Sequence, residues 1–295
     1  MLLDRKKVGV VLRTFAKTPD QVAAQVTQIT ETVDRLGTLL VQNHPAFSRI
    51  DVMVAADEHY VDCDCGQTAE ALRSALSGRK NVFVSEVKHG DLFCGLLNYG
   101  VALQNRAGID FTAIISTAVR EYITPENIAA MIEALSSGAK VTGLALAELT
   151  DSILEGQIAN TFAIWDNVAL LTVGGFDLKA TNALRNDRLT TYLRGWNEAQ
   201  EKQTGSGDVY YPTAGVEEII PLVRLVGLHG QCIAPLRPCG AARWQAPDPI
   251  MDPDGYVRHL KKMGTKLPRQ MAFASTVGAD LTFIQGGVMK QYRQS

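Results

Sequence analysis

The chain has 295 residues, 46% of them apolar and 20% charged, with 29 basic against 31 acidic side chains and a formal net charge of −2. That mixture excludes wholesale disorder and leaves enough length for one large α/β domain, or for a domain with an appendage. The near-neutral balance gives no global electrostatic case for nucleic acid or a membrane surface as a partner, so any such contact has to be local. Cys63, Cys65, Cys94, Cys232 and Cys239 lack the paired spacing of a zinc ribbon and are read as thiols of a reduced, cytoplasmic protein. His59 near Cys63 and Cys65 is read as a loop with small buried thiols rather than a metal site. The apolar run after Lys6 and Lys7 is too short for a secretory signal, and no stretch reaches the roughly 18 uninterrupted apolar residues of a membrane span.

Lys7 to Leu12 is a β-rich run ending at Arg13 and Thr14, the natural first strand. Thr18 and Pro19 start a helix whose apolar stripe is Val22, Val26, Ile29, Val33, Leu36 and Leu40. Ile50 to Ala56 is expected to be the next strand, and this strand, helix, strand order predicts a parallel sheet, because parallel neighbours need a crossover. An acidic loop follows with Asp57, Glu58, Asp62 and Asp64; it is a solvated loop or, from its place after a strand, part of a site. A short helix around Ala69 to Leu76 closes at Gly78, and Asn81 to Val84 forms a third strand.

Lys88 to Asp91 leads into a helix bearing Leu92, Phe93, Leu96, Leu97 and Val101, interrupted by Gly95 and Gly100. Each glycine costs about 1 kcal/mol against alanine, so the pair predicts a close approach by backbone or ligand. Asn98 between them is an exposed helix amide or a ligand contact. Phe111 to Ile115 is the most buried-looking strand, and Thr124 before Pro125 starts a helix with Ile128, Met131, Ile132 and Leu135 on one face, stopped at Gly138. The polar turn Ser116 to Tyr122 therefore lies just beyond a strand's carboxyl end, where open α/β sheets bind ligands.

Ala139 to Ala147 and Ile158 to Ile164 read as further strands. Gly174 and Gly175 before Phe176 and Asp177 permit a sharp turn, either beside a bound molecule or at an ordinary loop corner. The later part of the chain lacks the GxSxG spacing of a hydrolase elbow and the GxxxxGK[ST] of a phosphate loop. Glu217 and Glu218 open a helix carrying Ile219, Leu222, Val223 and Val226, closed by Gly227 or Gly230; acids there also simply suit the helix dipole. Gln231 to Leu236 is the strand that follows. Composition then changes: prolines cluster from Pro235 to Pro268, and Arg258, His259, Lys261, Lys262, Lys266 and Arg269 form a local basic group. That group is a solvated face, a phosphate site or an oligomer contact, and a boundary is placed near Pro238, giving 1–237 and a C-terminal extension of 238–295.

The order and spacing of these pieces resemble the nucleotide-sugar glycosyltransferases of the GT-A fold, family 2 in particular. The resemblance implies an α/β, Rossmann-like fold with a mostly parallel central sheet flanked by helices. It implies a sugar transferred from a nucleotide diphosphate to an acceptor hydroxyl, so the partners are a nucleotide-activated sugar and that acceptor. By position Asp57 takes the nucleobase role, Gly175, Phe176 and Asp177 the acceptor role, and Glu217 or Glu218 the base role. Ser116, Thr117 and Ala118 stand where the family has DxD. Hydroxyls alone bind Mg²⁺ or Mn²⁺ poorly, so no metal ligand is assigned and the cofactor stays open. Arg13, Lys88 or Arg120 would then neutralise a leaving diphosphate without metal, with Asn98 also in the nucleotide-sugar set. A catalytically silent binding or scaffold protein is the alternative. So is a nucleotidyltransferase, against which Arg13 to Lys17 lacks a glycine-rich loop.

Overall fold

The computed structural model describes residues 6–16, 19–55, 67–87, 94–145, 158–176, 217–230, 232–236, 248–264, 284–285 and 288–289. Strand β1 (Val8–Thr14) is followed by α1 (Pro19–Gly37), a hairpin of β2 (Leu40–Val41) and β3 (His44–Pro45), and then β4 (Arg49–Ala55). Next come α2 (Gln67–Ala75), β5 (Val82–Val87), α3 (Cys94–Arg106), β6 (Phe111–Ile115), a 3-10 turn (Thr117–Tyr122) and α4 (Pro125–Ser136). The later elements are β7 (Val141–Ala145), β8 (Ile158–Asp166), α5 (Asn167–Thr172), α6 (Ile219–His229), β9 (Ile233–Leu236) and α7 (Pro253–Gly264). A small antiparallel pair, β10 (Ile284–Gln285) and β11 (Val288–Met289), follows.

One seven-stranded sheet organises the chain, in the order β5-β4-β1-β6-β8-β7-β9. All neighbours are parallel except β8, which runs opposite to both β6 and β7. The sheet is therefore the mostly parallel, Rossmann-like α/β sheet the sequence predicts, with β8 as its one reversed strand among the described residues. Each face is covered by its own apolar layer. Val10, Leu12, Ile29, Val33, Leu72 and Met131 join β1 to α1, α2 and α4 on one side. Val11, Leu96, Leu97, Val101, Leu170 and Leu222 join β1 to α3, α5 and α6 on the other. Val10 and Leu12 alternate with Val11 because successive strand residues point to opposite faces.

The local rules explain most boundaries. The Thr124 hydroxyl accepts from Asn127 N at 3.2 Å and Pro125 occupies the first turn of α4, while Gly138 adopts φ +106 just past its end. The structure departs from the sequence reading at four places. The α1 stripe stops at Leu36, because Gly37 ends the helix and Leu40, 51% exposed, belongs to the hairpin. That hairpin was not foreseen; Gln42 and Asn43, both at positive φ, form its two-residue turn. Strand β1 continues through Arg13 and Thr14, which pair with Met53 and Val54. Finally, α5 was unread: Asp166 caps it by accepting from Ala169 N at 3.0 Å and also holds Lys140 at 3.1 Å.

Candidate functional site

The strand order reverses between β1 and β6: the chain first moves outward from β1 to β4 and β5, then α3 returns it to β6 on β1's other side. Such a switch point opens a crevice at the strands' carboxyl ends. Two predicted residues meet the rim there. Leu12 pairs with Ile115, so Arg13 and Ser116 are the next residues along β1 and β6.

Arg13 Nη2 donates to Glu217 Oε1 at 2.9 Å. The Glu217 side chain is only 4% exposed, whereas that of Arg13 keeps 28% of its surface open. Alternation along β1 explains the pairing, for Arg13 shares the side of Val11, the side that α6 covers. Glu217 and Glu218 precede α6, and Glu218, 1% exposed, stands at its N-cap in a helical conformation without a side-chain cap bond. The acids are therefore buried beside the β1 rim instead of forming an exposed first turn. A buried carboxylate needs a hydrogen-bonded cation, and Arg13 supplies one.

Thr14 points the other way, its hydroxyl donating to Gln25 Oε1 of α1 at 2.7 Å. The turn after β6 leans on the same helix. Ser116 Oγ accepts from Ala118 N at 3.3 Å, Thr117 Oγ1 meets Gln28 Oε1 at 3.5 Å, and Arg120 pairs with Glu31. Gln25, Gln28 and Glu31 recur every three residues, which keeps them on one side of α1. That polar stripe beside the apolar one was the available signal, and it was missed. Arg35 adds bonds to the carbonyls of Ile123 and Glu121 and anchors the turn's far end.

Mg²⁺ or Mn²⁺ does not fit the Ser116 to Ala118 triplet. Its donors are two hydroxyls, one accepting from a main-chain amide and the other engaged with Gln28, where a hard cation calls for carboxylates. Among the described residues, no three His, Cys, Asp or Glu side chains gather as a metal site would require.

Asn98 and the glycine turn form a second constellation. Asn98 Nδ2 donates to Phe176 O at 2.6 Å, and Phe176 N donates to Asn98 Oδ1 at 2.8 Å. Gly174 and Gly175 adopt φ +89 and +71, and a Cβ on Gly175 would lie 2.5 Å from Asn98 Oδ1. The turn thus presents bare backbone to Asn98. Phe176 is 2% exposed and meets Trp165 edge-on at 5.2 Å between ring centroids. Its ring belongs to the core, and the Asn98 amide is bonded to main chain rather than displayed to solvent.

The other helix glycine finds a strand. A Cβ on Gly100 would fall 2.7 Å from Val11 Cγ1, so α3 approaches β1 closely at this one of its two glycines. Asp57, Lys88 and Asp177, together with His59, Cys63 and Cys65, lie outside the described residues, as does the boundary at Pro238.

No family model matches the chain, and no curated protein matches it. Solved structures do, at low similarity. One is a 4-diphosphocytidyl-2C-methyl-D-erythritol synthase from Anaerococcus prevotii, 10% identical, with 86% of this chain and 100% of that chain covered and a TM-score of 0.45. A cytidylyltransferase from Leptospira borgpetersenii is 10% identical over 66% of this chain and 74% of its own, with a TM-score of 0.39. Mouse xyloside xylosyltransferase 1 is 10% identical over 78% and 84%, with a TM-score of 0.37. The class of fold, a Rossmann-like α/β sheet layered on both faces, rests on the strand order itself. Among the described residues, no helix is long and apolar enough to cross a membrane.

Proposed function

We propose that the protein is a GT-A-like transferase acting on a nucleotide-activated sugar at the β1–β6 crevice, without a metal in the DxD position. The observation that carries this reading is the Arg13–Glu217 pair at the switch point, a cation held at 2.9 Å by a buried acid and still partly open to solvent. In the reaction an acceptor hydroxyl loses its proton, its oxygen attacks the anomeric carbon, and the nucleoside diphosphate departs with the bonding electrons. Arg13 offsets the charge growing on that diphosphate, as a guanidinium does through paired hydrogen bonds. Glu217 or Glu218 takes the proton, and the Ser116 to Ala118 turn floors the diphosphate. Asp57 and Lys88 complete the donor side and Asp177 the acceptor side. Residues 1–237 are the transferase domain, and the reaction belongs in the cytoplasm.

Titration calorimetry with UDP, GDP and their sugars, with and without Mn²⁺, tests this. Binding that needs no metal and weakens about tenfold or more in Arg13→Ala is expected, the usual scale for a charge-assisted bond of about 1.5–3 kcal/mol. Absence of binding to every nucleotide overturns the reading in favour of a silent scaffold. Consumption of a nucleoside triphosphate with release of pyrophosphate moves the protein to the nucleotidyltransferases instead.

A further inference from the structure

The two edges of the large sheet are built differently. Strand β9 at one edge is four residues long and contains Pro235, which has no N–H to offer a further strand. Strand β5 at the other edge is six residues long, Val82 to Val87, with neither proline nor lysine. Among the described residues no strand pairs beyond it. Natural sheets blunt such edges with charge, proline or a bulge. Here β5 carries one charge, Glu86, and that carboxylate already lies 3.6 Å from Arg73 of α2.

The register fixes which main-chain groups that edge offers. Val82 pairs with Ile50, and Asn81 O accepts from Ile50 N at 2.8 Å. A parallel strand bonds its neighbour through alternate residues, so Asn81, Phe83, Ser85 and Val87 turn their main-chain groups to β4. Val82, Val84 and Glu86 turn theirs outward. An antiparallel mate has to present the same spacing, and a second β5 does. With Val84 facing Val84 across a two-fold axis, Val82 of each copy faces Glu86 of the other, and every outward N–H meets an outward C=O. Centring on Ser85 instead would leave Val82 without a mate in the strand and set the two Glu86 carboxylates on a cross-strand diagonal, where like charges repel.

Charge favours the same register. Exposed Lys80 precedes the strand and Glu86 lies near its end, so antiparallel self-pairing brings each Glu86 toward the Lys80 end of the other copy. The two Glu86 residues stay four strand positions out of register, about 13 Å. Phe83 is 44% exposed, yet its ring is held in place: Arg49 stacks over it at 4.0 Å while bonding both oxygens of Asp51 at 2.7 and 2.8 Å. In the pair Phe83 faces Ser85 of the other copy, with the second Phe83 on the diagonal, within reach of an aromatic ring.

We infer that β5 is the surface through which two copies of this chain associate, their sheets joined edge to edge with Val84 on the two-fold axis. Strand β5 is separated from β1 by β4, so the β1–β6 crevice is no part of the contact, and the inference is independent of the transferase reading. A single strand pair is smaller than a standard interface, which makes the association reversible and dependent on concentration.

Sedimentation velocity of the full chain over a wide range of concentration tests this, and a monomer–dimer equilibrium is expected. Val84→Lys sets like charges face to face and should raise the dissociation constant at least about 100-fold, as should Val84→Glu. An equimolar mixture of those two variants should dimerise again, because this register faces residue 84 with its own counterpart. Circular dichroism checks that the variants stay folded. Should either unfold, Val84→Pro replaces the pair, since it removes an outward N–H and no bond to β4, and it should give a monomer. A parent that is monomeric at every concentration overturns the inference. So does a dimer that the charge variants or Val84→Pro leave intact, or a mixture of folded charge variants that stays monomeric.

Discussion

Arg13 and Glu217 are separated by 204 residues in the chain and by 2.9 Å in space, and they join strand β1 to the approach of helix α6. Removing the guanidinium leaves a carboxylate that is 4% exposed without that partner. Arg13→Ala is therefore expected to cost about 2 kcal/mol, below the roughly 3–5 kcal/mol of a fully buried pair because Arg13 itself keeps solvent contact. Arg13→Met with Glu217→Met should cost clearly less than the two single changes added together. A urea double-mutant cycle measures this, and additivity within about 0.5 kcal/mol would show the two side chains to be uncoupled.

For the proposed base, Glu217→Gln or Glu218→Gln is expected to lower sugar transfer at least about 100-fold, the lower range for general base catalysis. Donor binding should change little in Glu218→Gln, whereas Glu217→Gln also removes the charged partner of Arg13 and should weaken it. If both variants transfer sugar as fast as the parent, neither carboxylate is the base.

The Asn98 clasp predicts a paired effect with Gly175. Asn98→Ala leaves both Phe176 main-chain groups without their partner and should cost about 2–3 kcal/mol. Gly175→Ala meets two obstacles, a contact of 2.5 Å to Asn98 Oδ1 and a φ of +71. Combining it with Asn98→Ala relieves the first and leaves about 1 kcal/mol for the second. Near-UV circular dichroism reports the change, since Phe176 touches Trp165; unequal spectra with equal stability would place the effect elsewhere.

Helix α3 and strand β1 make a simpler case. Gly100→Ala drives a methyl to 2.7 Å from Val11 Cγ1, which should cost about 1–3 kcal/mol by overpacking. Val11→Ala alone also destabilises by opening space. Together the two should recover part of the loss, and thermal unfolding of the double variant no better than the worse single would refute the contact.

Cys232 gives a pH dependence. Burial pushes its thiol up to about 11, against the smaller opposing pulls of a backbone hydrogen bond and of Lys140. The folded chain thus keeps the proton after the unfolded chain has lost it near the ordinary value of 9.0. This contribution is fully present below about pH 9, declines as pH rises toward 11, and amounts to roughly 2 kcal/mol. Cys232→Ala should flatten that part of the stability profile. An unchanged slope between pH 9 and 11 would assign it to other groups.

Much of the layering was legible in order along the chain. The Thr124–Pro125 start, the Gly138 stop and the compact run Phe111 to Ile115 obey rules that act within a few residues, and the structure keeps them. The hairpin turn at Gln42 and Asn43 was harder, because those residues pay a positive-φ cost that only their pairing strands justify. Helix α5 is six residues long, too short for a periodic signal, and only Asp166 marked it.

Sequence alone determined most of the strands and helices and their alternation, though neither the β2–β3 hairpin nor α5, because turn chemistry and apolar spacing are properties of neighbours. The tertiary structure decided what each polar residue is for. Asn98 turned toward Phe176, Arg120 toward Glu31 and Arg13 toward Glu217, since strand order and helix placement bring together residues that no local spacing relates. Burial of an acid beside a distant cation is a long-range event, and it becomes readable only when the sheet has brought both to one rim.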